Sequence, residues 1–152
     1  MSHNIIVYTD GSALGNPGKG GYGIVLVSGK YRKELSQGFE LTTNNRMELL
    51  SVIVALESIK VENSCVTIYS DSKYVVDAVE KGWLFSWEKK NFKKKKNIDL
   101  WKRFLQIYPK HKVSFKWVKG HAGIPGNERC DEMAVAAAES GNLIVDAGYN
   151  PE

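Results

Sequence analysis

The sequence predicts a single α/β domain, a mixed sheet of five strands flanked by helices. Two observations predict it. A β-prone string ending in a carboxylate occurs twice, as Ile5-Ile6-Val7-Tyr8-Thr9-Asp10 and as Val66-Thr67-Ile68-Tyr69-Ser70-Asp71. Around these strings, strand-like runs and helical stripes follow one another in the order strand, strand, strand, helix, strand, helix, basic segment, helix, strand, helix. If the two strings are neighbouring parallel strands, Asp10 and Asp71 lie side by side at their C-terminal ends, the edge where open α/β sheets build their sites. A lone Asp after a strand commonly caps a turn. A matched pair places two anions together, which repel unless something positive lies between them.

The chain has 152 residues, enough for one domain with a real core. The expected domain spans 1–152, with a tail from about 140. Its 43% hydrophobic and 25% charged residues are ordinary for a globular protein. No apolar run approaches the roughly 20 residues needed to span a bilayer, and Met1-Ser2-His3-Asn4 has neither a basic n-region nor an apolar h-region. Cys65 and Cys130 form no metal-type spacing and read as two reduced thiols. The expectation is a cytoplasmic monomer without a membrane anchor. The net charge of +4 favours a polyanionic partner.

The first strand runs into Gly11, read as the residue that permits an abrupt turn. Gly18-x-Gly20-x-x-Gly23 matches a dinucleotide-binding pattern, but that fingerprint needs a following helix. Here Ile24-Val25-Leu26-Val27 follows, a strand by composition, so the glycines are read as letting the chain turn back beside the first strand. Ser28-Gly29-Lys30 is a hairpin turn into a third strand, Tyr31 to Phe39. Thr42-Thr43-Asn44-Asn45 offers capping residues to a helix from Asn45 to about Ile59, with Met47, Leu50 and Val54 on its apolar stripe and Glu48 in its first turn. After the second Asp-ending strand, Ser72 caps a helix to about Lys81, and Gly82 stops it. Ile98 to Tyr108 is helical, with Leu100, Trp101 and Phe104 on the stripe. Val113 to Val118 alternates like a strand. A Gly- and Pro-rich loop carrying His121 leads into a last helix, Glu128 to about Glu139, with Asp131 in an early turn.

Between Gly82 and Ile98, Trp83, Phe85 and Trp87 precede Lys89, Lys90, Lys93, Lys94, Lys95 and Lys96, with Phe92 among them. A lysine run is often only a solvated face. Interleaved aromatics point to nucleic acid, since lysines track phosphates and aromatics pack on sugars or bases. Four carboxylates at element ends, Asp10, Glu48, Asp71 and Asp131, suit a hard, oxygen-seeking cation such as Mg²⁺ or Mn²⁺ if they converge.

These residues resemble the type 1 ribonuclease H family of bacteria over nearly the whole chain. The resemblance is carried by Tyr8-Thr9-Asp10-Gly11-Ser12 with Gly15-Asn16-Pro17-Gly18, and by Thr42-Thr43-Asn44-Asn45-Arg46-Met47-Glu48-Leu49. Ser70-Asp71-Ser72, Trp117-Val118-Lys119-Gly120-His121-Ala122-Gly123 and Asn127-Glu128-Arg129-Cys130-Asp131-Glu132 complete it. It implies a ribonuclease H-like fold and an endonuclease that cuts the RNA strand of RNA–DNA hybrids, leaving 5′-phosphate and 3′-hydroxyl ends. It implies a Mg²⁺ site at Asp10, Glu48, Asp71 and Asp131, for which Mn²⁺ can substitute, and a proton-transfer or product-release role for His121. Asn16, Thr43, Asn44 and Asn45 would lie along the substrate, the lysine segment would grip the hybrid outside the site, and Trp83 and Trp101 would pack near the DNA strand. Lys73 departs from the neutral amide expected after Ser72. A cation there either adds a phosphate contact or weakens a base-edge one. A junction resolvase or integrase core of the same fold, and a hybrid-binding module without catalysis, are the competing readings. The Thr43-Asn44-Asn45 string and lysine segment disfavour the first; the full set of carboxylates with His121 disfavours the second.

Overall fold

The structure, a computed structural model, describes residues 4–120 and 123–150. β1 (Asn4–Ala13), β2 (Gly18–Ser28) and β3 (Tyr31–Thr42) form the expected antiparallel meander. β4 (Cys65–Ser70) pairs in parallel with the free side of β1, and β5 (Lys112–Trp117) pairs in parallel with β4. The β1–β4 register sets Ile5 against Val66 and Tyr8 against Tyr69. Carried two residues further, the same offset sets Asp10 against Asp71. The two matched strings are therefore adjacent strands.

The helices are α1 (Asn44–Glu57), α2 (Lys73–Glu80), α3 (Trp83–Lys89), α4 (Ile98–Ile107) and α5 (Pro125–Glu139). Successive side chains of a strand point to opposite faces, and β2 uses both. Ile24 and Leu26 enter the main core with α1, while Val25 enters a smaller cluster with Cys130 and Met133 of α5. That double burial explains the unbroken apolar run of β2. The β2 glycines serve this packing more than a turn. A Cβ on Gly21 would lie 2.5 Å from the Ala134 carbonyl oxygen, and one on Gly23 would overlap that of Cys130, so both let α5 settle close to the sheet.

The sheet has six strands, not five, in the order β5-β4-β1-β2-β3-β6. β6 (Leu143–Ile144) pairs in parallel with Gly38 and Phe39, inside the segment expected to be a tail. Two residues are too short a strand to leave a periodic signal. What fixes the segment is a charge. Asp146, its side chain only 6% exposed, accepts 2.7 Å bonds from Arg46 Nε and from Thr42 Oγ1. The buried Arg46 also donates to both Asp99 oxygens, at 2.9 and 2.8 Å. Removing one partner of a buried ion pair strands the other charge, at a cost of about 3–5 kcal/mol. Arg46→Ala is expected to lower the urea-unfolding free energy on that scale. A loss near zero would show that Asp146 does not anchor the C-terminal segment.

Candidate active site

Asp10 lies on β1 at the point where pairing with β4 has ended but pairing with β2 continues. Asp71 is the first residue after β4. Glu48 comes from α1, and Gly11 determines how near it can come. A Cβ on Gly11 would overlap the backbone of Met47 and Glu48. The bare Cα lets α1 lie against β1, and the Gly11 amide donates to Glu48 Oε1 at 2.6 Å. Gly11 is thus a close-approach residue; the strand runs on through it to Ala13 instead of turning. Thr43 caps α1, its hydroxyl accepting from the Arg46 amide at 3.3 Å. The helix therefore starts at Asn44, and Glu48 lies in its second turn, not its first.

One oxygen from each of Asp10, Glu48 and Asp71 lies within 4.8 Å of the others. Among the described residues no lysine, arginine or histidine forms an ion pair with any of them. Burial, then the charges of Asp71 and Asp131, push the Asp10 carboxyl up to about 8. Burial, then Asp10 and Asp71, hold Glu48 well above the usual carboxylate range. Asp71 Oδ1 is buried without a hydrogen-bond partner. Asp131, in the second turn of α5, acts on the Asp10 carboxyl through its charge and lines the same cleft of about 680 Å³, but stands outside the group of three. An all-oxygen, cation-free cluster with an unspent buried acceptor fits a hard divalent cation.

A family model for RNase H matches residues 2–139. The chain belongs to that family. It is 52% identical over 150 residues to the ribonuclease H of Trichodesmium erythraeum, covering 95% of each chain. It is 54% identical over 147 residues to that of Desulforamulus reducens, covering 93% of this chain and 92% of the relative. Among solved structures it is similar to LC9-RNase H1, a type 1 RNase H with the type 2 active-site motif. The identity is 34% and the TM-score 0.83, over 98% of this chain and 80% of that one. It is also similar to LC11-RNase H1, solved in complex with an RNA/DNA hybrid, at 25% identity and a TM-score of 0.63, over 88% and 96% of the two chains.

The other candidate residues of this ribonuclease H divide by position. Asn44 and Asn45 line the carboxylate cleft. Asn16 and Thr43 line a second cleft of about 750 Å³, together with Lys95 and Lys96, and Asn45 borders both. Asn44 is held by two bonds: its Oδ1 accepts from Ala13 N at 2.6 Å, and its amide donates to Asn16 Oδ1 at 3.2 Å. Lys89, Lys90, Lys93, Lys94, Lys95 and Lys96 are all exposed, and Trp83 is 47% exposed beside Lys81. Trp101 must be reassigned. It is fully buried between Trp87 and Phe104, with its indole N–H donated to Tyr74 at 2.9 Å, so it presents no ring face to a duplex. Phe92 is buried too. The aromatics of the basic segment mainly anchor it and leave the lysines outward.

His121 lies outside the described residues. Its neighbour Gly120 borders the cluster, where a Cβ would lie 3.2 Å from Asp71 Oδ2. Asn127 stands inside α5 and does not cap it. Its Nδ2 instead donates to the Tyr69 carbonyl at 3.1 Å and the Thr9 carbonyl at 3.4 Å, tying α5 to β4 two residues before Asp71 and to β1 one residue before Asp10. Its place within the Asn127-to-Glu132 motif was the available signal. Ile124 is the N-cap and Pro125 opens the helix, where a missing N–H costs nothing.

Proposed function

We propose that this enzyme hydrolyses the RNA strand of RNA–DNA hybrids, leaving 5′-phosphate and 3′-hydroxyl ends, with Mg²⁺ as its natural cofactor and Mn²⁺ as a substitute. The observation that carries the reading is the convergence of Asp10, Glu48 and Asp71 on the strand edge of a ribonuclease H chain. These three, with Asp131 beside them, would hold the cations. Bound there, two divalent ions would supply activation of the attacking water and stabilisation of the leaving 3′-oxygen. The protein side has separate tasks. Gly11 N–H orients Glu48 by its bond to Oε1, and Asn127 pins the strand ends that carry Asp10 and Asp71. Asn44 and Glu48 face the ribose 2′-hydroxyls, which only the RNA strand offers, and Asn45 lies along the substrate. Thr43 helps hold a phosphate of the DNA strand, Asn16 lies along the substrate, and the lysines grip the hybrid outside the site. His121, next to Gly120, relays a proton or speeds product release. The two free thiols fit a reducing compartment such as the cytoplasm, and among the described residues no helix is long and apolar enough to cross a membrane.

Labelled RNA–DNA hybrid, double-stranded RNA and double-stranded DNA, incubated with and without Mg²⁺, test this reading. Cleavage of the RNA strand of the hybrid alone, and only with the metal, is expected. Cleavage of double-stranded DNA would instead indicate a nuclease of another specificity on the same fold.

Two variants separate binding from chemistry. Changing Lys93, Lys94, Lys95 and Lys96 to Ala is expected to raise KM strongly and leave saturated turnover within a few-fold. Each lost phosphate contact flattens the plot of log K against log salt by about 0.7–0.9. An unchanged slope would make these lysines a solvated surface. His121→Ala is expected to slow saturated turnover by about 10²–10⁴-fold, the contribution of a general acid–base group. A variant that matches wild type across the pH range would remove His121 from the rate-limiting step.

A further inference from the structure

Lys73 is the first residue of α2 and stands on the wall of the carboxylate cleft. The cleft is acidic, yet among the described residues its ammonium pairs with no carboxylate. It lies instead 4.8 Å from the ring centroid of Trp117. A cation on an indole face is held by the ring quadrupole, and that contact leaves its three N–H donors uncommitted. Trp117 is itself fixed. It ends the edge strand β5, and its Nε1 donates to the main-chain carbonyl of Asp71 at 3.0 Å. The ammonium is thus tethered, through one aromatic ring, to the backbone of a residue in the carboxylate cluster.

The lysine segment does not duplicate this position. Lys95 and Lys96 line the neighbouring cleft with Asn16 and Thr43, whereas Lys73 lines the one that contains the carboxylates. In a duplex laid across both, the strand in the carboxylate cleft is the one to be cut. A compact ammonium suits phosphate oxygens as a point charge, and an A-like duplex hides its major-groove base edges from side chains.

We propose that Lys73 holds a phosphate of the RNA strand beside the cut, and that Trp117 is the positioning residue that keeps its ammonium there. This rests on the hybrid-cleaving reading above and adds a contact particular to this chain.

The test compares wild type with Lys73→Gln, Trp117→Phe and Trp117→Leu in steady-state cleavage of one hybrid over a salt series. Thermal unfolding of each variant confirms that it is folded. Lys73→Gln is expected to raise KM roughly two- to fivefold, the scale of one exposed ion pair. Its kcat should be unchanged, with a salt slope shallower by about 0.7–0.9. Trp117→Phe keeps a ring face and is expected to retain the wild-type salt slope. Trp117→Leu is expected to lose as much slope as Lys73→Gln. Hybrids with a single uncharged methylphosphonate, moved along either strand but never at the scissile phosphate, identify the contact. One RNA-strand position should weaken wild type and have no further effect on Lys73→Gln. Wild type that does not cut the hybrid would overturn the functional reading itself. Wild type that cuts while Lys73→Gln keeps its KM and slope, or a sensitive position on the DNA strand, would overturn the Lys73 assignment. A wild-type slope in Trp117→Leu would overturn the positioning role of Trp117.

Discussion

Asp10→Asn is expected to abolish cleavage and at the same time make the metal-free protein more stable. The loss follows from the cluster: the amide keeps the shape of the side chain but removes one of three anionic ligands within 4.8 Å of one another. The gain follows from the same geometry. Without a cation, Asp10, Glu48 and Asp71 stand together in a partly buried site, none of them ion-paired among the described residues, and like charges so placed repel. The sign and the pH window come from Asp10, whose carboxyl is pushed from its ordinary 3.8 up to about 8, first by burial and then by Asp71 and Asp131. Between those values the folded protein keeps a proton that the unfolded chain has released. The Asp10 contribution to wild-type stability therefore falls as pH rises through the window and is flat on either side of it. Asn does not titrate. Its advantage should be smallest below pH about 4, grow through the window and level off above about 8. Added Mg²⁺ should narrow the gap, because a ligand that binds only the folded wild type stabilises it by mass action. Urea unfolding in EDTA at pH 4, 6 and 8.5 measures this directly. A variant less stable than wild type at pH 8.5 that still cuts hybrid would return Asp10 to the role of a turn cap.

Gly11→Ala should damage fold and function together. The added methyl would overlap the backbone of Met47 and Glu48, so no side-chain rotation relieves it and α1 must move off β1. Overpacking of a tight contact costs about 1–3 kcal/mol. Here the obstacle is main chain on both sides, which favours the upper end. Moving α1 also breaks the Gly11 amide bond to Glu48 Oε1 and draws that carboxylate out of the cluster. A misplacement of about 1 Å at a reacting centre costs on the order of 10²-fold in rate. The expected result is a turnover loss of that order in protein still folded at low temperature, with the Tm lowered. Wild-type turnover would mean that Glu48 tolerates a displaced helix.

The strand core of the fold was legible because Ile5-to-Asp10 and Val66-to-Asp71 share one pattern, an aliphatic residue then Tyr, a small hydroxyl residue and Asp, and matched patterns in parallel register put like residues side by side. The helices were legible in their stripes: Val75, Val76 and Val79 of α2 and Leu100, Trp101 and Phe104 of α4 are all buried. Three features escaped for physical reasons. β6 is two residues long and is anchored by the Asp146 charge, not by a pattern. The aromatics near the lysines looked like a stacking platform, but a side chain's identity does not say which way it faces, and Trp101 and Phe92 face inward. Gly11 and Asn127 act through the close approach of elements distant in sequence, to α1 and to the ends of β1 and β4 respectively. No local periodicity records such contacts. Of the site, the four carboxylates were named from the sequence, but which three form the tight group depended on where α1 and α5 start.

The central claim is that Asp10, Glu48 and Asp71 together make one divalent-cation site. Calorimetric titration of Mg²⁺ into substrate-free wild type, Asp10→Asn, Glu48→Gln and Asp71→Asn tests it most directly. The account predicts saturable binding by the wild type and a marked weakening in each of the three variants, all of them folded. Wild-type affinity in all three would contradict it.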